Sequence, residues 1–214
     1  MIKDIKTITL GSMSGNCYLL ETEKGFVLID TGRKSARSTL EEEMAVAGCN
    51  TENLDLIILT HGDFDHTGNC AYFREKYNVK IAMHQSDSGM VEFGDMFWNR
   101  KSGNWVLKKL VNTFFNITKF KPDFTIDEKT DLSDYGLDAE IIYIPGHSKG
   151  SIGILTDNGN LFCGDLFSNV KKPEPNSVVD DLDELNESIA RVKDLQIEMI
   201  YPGHGQPFRM NEFE

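Results

Sequence analysis

Apolar positions recur in two rhythms along the chain. Short runs rich in β-branched and aromatic residues alternate with stretches whose apolar residues fall three or four apart, the periods of strand and helix. "KTITLG" (6–11), "CYLLET" (17–22) and "GFVLID" (25–30) predict three strands, the last two joined by a tight turn at Glu23-Lys24 and so antiparallel. "SARSTLEEEMAVAG" (35–48) puts Leu40, Met44 and Val46 on helix-compatible positions and stops at Gly48, after which "LDLIILT" (54–60) predicts a buried strand. "CAYFREKY" (70–77) reads as a short helix and "NVKIAM" (78–83) as a strand. Residues 86–117 read as a helical segment broken near Gly94 and Gly103. The second half repeats the rhythm: strands at 139–146, 151–156 and 160–165, a helix at 181–195 with an acidic first turn, and a last strand and loop at 197–205. Two halves of this kind predict a layered α/β domain, a pseudo-symmetric sandwich.

The segment from Phe93 to Phe115 also carries Met96, Phe97, Trp98, Trp105 and Phe114. Aromatic stripes on helices are usually buried, so core packing is the first reading and a cover over a substrate the second.

Length and composition narrow the class. A chain of 214 residues can bury its own core as one domain, 1–214, and 40% hydrophobic with 26% charged residues describes an ordinary globular protein. A net charge of -12 repels nucleic-acid phosphates and anionic membranes, so neither is expected as a partner, and Lys108-Lys109 and Lys171-Lys172 are only pairs. Cys17, Cys49, Cys70 and Cys163 form no CxxC pair and read as reduced thiols. With no apolar leader in "MIKDIKTITLGSMSGN" and no long apolar run, a cytoplasmic protein is expected. Oligomeric state leaves no signal in the sequence.

Chemistry concentrates where the apolar strands stop. His61, Asp63, Asp65 and His66 follow the strand at 54–60, His147 follows 139–144, Asp165 follows 160–163 and His204 follows 197–201. Four of the five histidines thus sit just past a strand, the placement of site residues on loops held by a rigid scaffold. Imidazole and carboxylate together suit zinc, iron or manganese, and seven such ligands are too many for one tetrahedral ion. Two metals are implied. Gly62, Gly146, Gly164, Gly203 and Gly205 flank these residues, and Thr60 and Ser148 stand beside them as candidates to orient a ligand or simply to shape a turn.

"THGDFDHTG" resembles the HxHxDHxG motif of the metallo-β-lactamase superfamily, and "LIDTG" (28–32), "PGHSKGS" (145–151), "CGD" (163–165) and "PGHG" (202–205) follow in that family's order. The resemblance implies an αββα four-layer sandwich with two divalent metals at one edge, zinc first and iron or manganese as alternatives. It implies His61, Asp63 and His147 on one metal, Asp65, His66 and His204 on the other, and Asp165 bridging. Asp30 falls in the layer that supports the site, and His84 matches no ligand position.

What the resemblance implies for function is hydrolysis of a small-molecule ester, thioester or lactone by water activated between the metals, with Asp65 orienting the water and moving its proton. The motif order is similar to the short glyoxalase II-like and lactonase-like hydrolases, although only ten residues follow His204, where a full glyoxalase II carries a glutathione-binding helical domain. Asp63 departs from the family's usual histidine. It adds one negative charge, so two divalent ions, three carboxylates and a hydroxide sum to zero, a less acidic water is expected, and harder ions gain. A carboxylate here also occurs in flavodiiron reductases and in HxDxDH domains of DNA-uptake proteins. A non-haem diiron oxidoreductase and a phosphodiesterase or nuclease are therefore the alternatives, with a metal-supported binding module the third.

Overall fold

A computed structural model describes residues 1–11, 14–101, 105–115 and 117–213, with Trp105, Leu107 and Val111 described by backbone only. The predicted strands assemble into two sheets. In the first, β1 (Ile2–Ile8), β2 (Cys17–Thr22) and β3 (Phe26–Ile29) are antiparallel neighbours, and β4 (Leu54–Leu59), β5 (Lys80–Met83) and β6 (Phe124–Thr125) follow in order as parallel strands. The second contains β7 (Ala139–Tyr143), β8 (Ile152–Thr156), β9 (Asn160–Asn169), β10 (Glu174–Pro175), β11 (Met199–Gly205) and β12 (Phe208–Arg209). Its order is β12-β11-β9-β8-β7, with β10 beside β9 and β11 parallel to β9.

Two-residue alternation sorts the strand side chains into layers. Val27, Ile29, Leu56 and Ile58 of the first sheet face Ile141, Ile152, Ile154 and Phe162 of the second, forming the core between the sheets. The residues between them point outward. Leu28, Ile57 and Leu59 pack against Leu40 and Met44 of α1 (Arg37–Val46). α2 (Phe64–Thr67) is a single turn, while Phe73 of α3 (Cys70–Tyr77) and Met90 of α4 (Gln85–Phe93) complete the same outer layer. α5 (Trp105–Phe114) follows, and on the far side Leu161 and Ile200 pack against Leu185, Ile189 and Val192 of α6 (Leu182–Lys193). Helix, sheet, sheet, helix is the αββα order.

Several details differ from the sequence reading. β1 begins at Ile2 rather than near Lys6, because its pairing with β2 runs from Ile8 opposite Cys17 to Ile2 opposite Thr22. β6, β10 and β12 have two residues each, too short to carry a period. Gly94 does end α4, whereas the break proposed near Gly103 lies outside the described residues. The aromatic segment is not uniformly core: Met96 is buried, but Phe93 and Trp98 are each 51% exposed and Phe114 is 78% exposed. All four cysteines are free and buried, as reduced thiols should be. Among the described residues no helix is long and apolar enough to cross a membrane.

Phe162 sits fully buried at the centre of the inter-sheet core, its ring 4.6 Å from Tyr201 and 5.2 Å from Tyr18. Phe162→Ala is expected to cost about 3–5 kcal/mol, read from a lower urea midpoint, while Val46→Ala on the exposed face of α1 should change it by no more than about 0.5 kcal/mol.

Candidate metal centre

Both sheets deliver polar side chains to one edge. β4 ends at Leu59, and the chain turns through Thr60 into His61 and Gly62 before Asp63 begins the short α2 that carries Asp65 and His66. His147 lies in the loop after β7. Asp165 and His204 are not past strand ends, as expected from the sequence, but inside β9 and β11. The pairing slips between these strands, so that Pro202 faces Gly164 and His204 faces Ser168, and this irregular register turns both ligand candidates into the edge. Close packing there requires glycine. A Cβ on Gly203 would lie 2.0 Å from Asp165 Oδ1, and Gly164 has a φ of 49° with Thr60 Oγ1 in the space a side chain would take.

The structure brings all seven residues together. Ligand atoms of His61, Asp63 and His147 lie within 4.8 Å of one another, as do those of Asp65, His66 and His204, and those of His61, His66 and Asp165. Asp63 Oδ2 is 3.0 Å from His147 Nε2 and 3.7 Å from His61 Nε2. Asp165 stands between the two groups, with Oδ1 3.5 Å from His66 Nε2 and Oδ2 3.5 Å from His204 Nε2 and 3.8 Å from His147 Nε2. His84 is elsewhere, stacked on Tyr143 at 4.9 Å and capping α4 by accepting a bond from Ser86 N.

The partners of the ring Nδ1 atoms decide what the Nε2 atoms can do. His66 Nδ1 donates to Asp30 Oδ2 at 2.8 Å and His147 Nδ1 donates to the Val178 carbonyl at 2.6 Å. Thr60 donates its hydroxyl proton to Asp30 Oδ2 at 2.7 Å, so its oxygen is left to accept from His61 Nδ1 at 3.0 Å. In the neutral ring each of these bonds leaves the Nε2 lone pair facing the cluster. Asp30 thereby steers two of the rings, one directly and one through Thr60, and it does so from a left-handed backbone conformation with φ 60°. His61 Nε2, His66 Nε2 and Asp165 Oδ1 are buried with no hydrogen-bond partner among the described residues. Buried polar atoms without partners are costly, and three of them side by side with converging lone pairs fit a cation.

Charge follows the same geometry. Burial first, and then the neighbouring His66 and His147, push His61 well below its ordinary value, so it stays neutral. Burial works against protonation of His66 too, but Asp30 and Asp165 outweigh it and raise its pKa. Burial likewise opposes the charge on His204, yet hydrogen bonds with Asp165 and Asp65 push it up to about 9. A cation entering these positions displaces protons.

Two residues of the site escaped the sequence reading. Asp87, fully buried in α4, accepts hydrogen bonds from Gly62 N (3.0 Å), Ser148 Oγ (2.6 Å) and Gly150 N (2.8 Å), tying the loop of His61 and Asp63 to the loop of His147. Burial raises its pKa, opposed by these bonds. The second is Arg100, whose Nη2 lies 2.8 Å from both carboxylate oxygens of Asp63. Burial tends to raise the Asp63 pKa, but Arg100 and then His147 outweigh it and hold the carboxyl well below the usual range. Asp87 leaves no local signal. Arg100 leaves one, since an added carboxylate in a buried cluster calls for a cation somewhere in the chain.

Over the cluster opens a cleft of 400 Å³. Asp63, Asp65, His147, Asp165 and His204 form its floor, while Phe64, Phe115, Val170 and Val178 form apolar walls. Phe64 and Phe115 stack at 4.3 Å, so one residue of the aromatic segment does reach the cleft.

An αββα sandwich with buried His and Asp side chains gathered at one edge of both sheets defines the class, a metal-binding α/β protein. Residues 10–204 match the model of the metallo-beta-lactamase superfamily, and the chain belongs to that superfamily. It is 30% identical over 200 residues to a probable metallo-hydrolase, MJ0888, of Methanocaldococcus jannaschii, covering 90% of this chain and 88% of that protein. It is 26% identical to the hydroxyacylglutathione hydrolase GloC of Haemophilus influenzae, over 77% of this chain and 72% of that one. Among solved structures, TTHA1623 in a di-iron-bound form superposes with a TM-score of 0.73 at 25% identity, covering 96% of this chain and 95% of the other.

Asp87→Asn keeps shape but sets an amide NH2 against one of three converging donors. It is expected to lower unfolding free energy by about 1–3 kcal/mol in chemical denaturation and to reduce metal retained after dialysis.

Proposed function

We propose that the protein is a dinuclear metal-dependent hydrolase acting on a small ester, thioester or lactone. The observation that carries this reading is the set of Nε2 lone pairs, fixed by their Nδ1 partners, converging with carboxylates on the floor of an apolar-walled cleft. His61, Asp63 and His147 would hold one ion, Asp65, His66 and His204 the other, and Asp165 would contact both. Two such ions supply Lewis-acid polarisation of the scissile carbonyl and lower the pKa of the attacking water toward neutrality.

The chain's own residues supply the rest. Asp65, with a side chain 16% exposed on the cleft floor, takes the proton of the attacking water and passes it to the leaving group. Phe64, Phe115, Val170 and Val178 seat the apolar part of the substrate and shed water from it. Asp30, Thr60 and Val178 hold the imidazoles in the tautomers and orientations described. Names of the relatives support hydrolysis, since MJ0888 is called a probable metallo-hydrolase and GloC a hydroxyacylglutathione hydrolase. Zinc, iron and manganese all accept this mixed His and Asp set.

A second reading, a non-haem diiron oxidoreductase, is favoured by one observation, the likeness to a di-iron-bound structure. Elemental analysis of the purified protein, with a screen of esters, thioesters, lactones and phosphodiesters, separates the two. The hydrolase reading expects about two metals per chain and turnover of an acyl substrate. Iron together with reductant-dependent consumption of oxygen or nitric oxide, and no hydrolysis, would replace it; metal-free, inert protein would remove both. Asp30→Asn, which weakens the steering of His66 and His61 while leaving every proposed ligand residue in place, should lower metal affinity about 10–100-fold in chelator competition.

A further inference from the structure

Arg100 has no part in the ligand set, yet it is built into the site. Its side chain is 12% exposed and Asp63's is 13% exposed, so the pair is largely out of solvent. Nη2 bonds both oxygens of Asp63, while the buried Nε has no partner among the described residues. The segment that carries it is pinned on both sides: Asn99 Nδ2 donates to the Ser86 carbonyl, Lys101 N donates to Asp180 Oδ1 at 2.8 Å, and Lys101 Nζ pairs with Asp181. Asp63 Oδ2 meanwhile reaches His147 Nε2 at 3.0 Å. The carboxylate is therefore shared, with a fixed guanidinium on one side and the imidazoles of the proposed first metal position on the other.

We infer that Arg100 is a positioning and charge-compensating residue for the first metal position, converting Asp63 into a ligand whose pair with it is neutral. The inference rests on the metal-site reading above. An aspartate in place of histidine adds one negative charge, and a guanidinium bonded to it adds one positive charge, so ligand and partner together carry the charge of an imidazole. With Arg100 counted, the centre is no more negative than a histidine-rich one, although its ligand motif carries one carboxylate more. Asp63 and Arg100 then form a unit in which neither suits the site alone. Histidine at 63 with arginine at 100 leaves a desolvated guanidinium facing a divalent ion and an imidazole. Aspartate at 63 without arginine at 100 leaves a buried carboxylate whose main counter-charge is the metal itself.

The experiment compares wild type, Asp63→His, Arg100→Gln and the double variant, each loaded with zinc or iron, by metal content in graded chelator and by thermal unfolding with and without metal. Asp63→His is expected to bind metal about tenfold or more weakly than wild type, and adding Arg100→Gln should restore most of that loss. Arg100→Gln alone should destabilise the metal-free protein more than the loaded one, widening the gap between their Tm values by about 2–4 °C. That gap keeps the inference testable if Asp63→His fails to fold. Equal Tm losses in both forms would reduce Arg100 to a tether for its segment and overturn the inference, as would a folded double variant that binds metal no better than Asp63→His. Wild type holding two metals with either of those patterns sinks this inference alone. Wild type that takes up no zinc, iron or manganese sinks the metal reading along with it.

Discussion

Everything at the site edge depends on the buried Nε2 atoms of His61 and His66 being kept without hydrogen-bond partners among the described residues. A lone pair facing other lone pairs and carboxylates in the interior is unfavourable, and it persists only because each ring is held from behind. Asp30 is the centre of that restraint. One carboxylate accepts from Thr60 N, Thr60 Oγ1 and His66 Nδ1, and Thr60 extends the hold to His61. The left-handed backbone at Asp30 is the local cost of aiming a side chain from the end of β3 beneath the end of β4. The two strands are parallel neighbours, so their ends arrive at the same edge together.

The contribution of the second sheet is different in kind. Asp165 and His204 come from within paired strands, and their orientation is set by slipped register between β9 and β11 rather than by loop conformation. A side chain carried on a hydrogen-bonded ladder has little freedom to shift, whereas His61, Asp63 and His147 sit on loops cross-tied by Asp87. One side of the centre is thus fixed by strands and the other by side-chain hydrogen bonds, and Asp165 faces both.

Most of this was legible in the sequence, and the reasons are local. The central strands β3 and β4 are nearly unbroken apolar runs, which marks them as buried on both faces, and Leu28 between Val27 and Ile29 points to one layer while its neighbours point to the other. The seven His and Asp positions stood out because each follows or interrupts an apolar run. What the sequence hid is what depends on approach in space. Asp87 meets Gly150 and Ser148 across 63 and 61 residues, and Arg100 meets Asp63 across 37, from a segment whose aromatic character drew attention to packing instead. The mid-strand position of Asp165 was hidden for a related reason, because a register slip belongs to a pair of strands and leaves no period in either.

The Asn16 side chain, two residues from Tyr18 with which it shares a hydrogen bond, donates to the carbonyls of Pro202 and Gly205, and the Tyr18 hydroxyl donates to Pro202 as well. These bonds join the first hairpin to β11 across 184 to 189 residues. On the ribosome, the first sheet can pair and cover its outer face with helices as it emerges, but the face that carries Val27, Ile29 and Leu56 stays open to water until Ile141, Ile152, Ile154 and Phe162 of the second sheet have been made. The edge closes later still, because Asn16 and Tyr18 find their carbonyls only once Pro202 and Gly205 exist, and His204 joins the His and Asp cluster at the same point, so that cluster is a late product of synthesis.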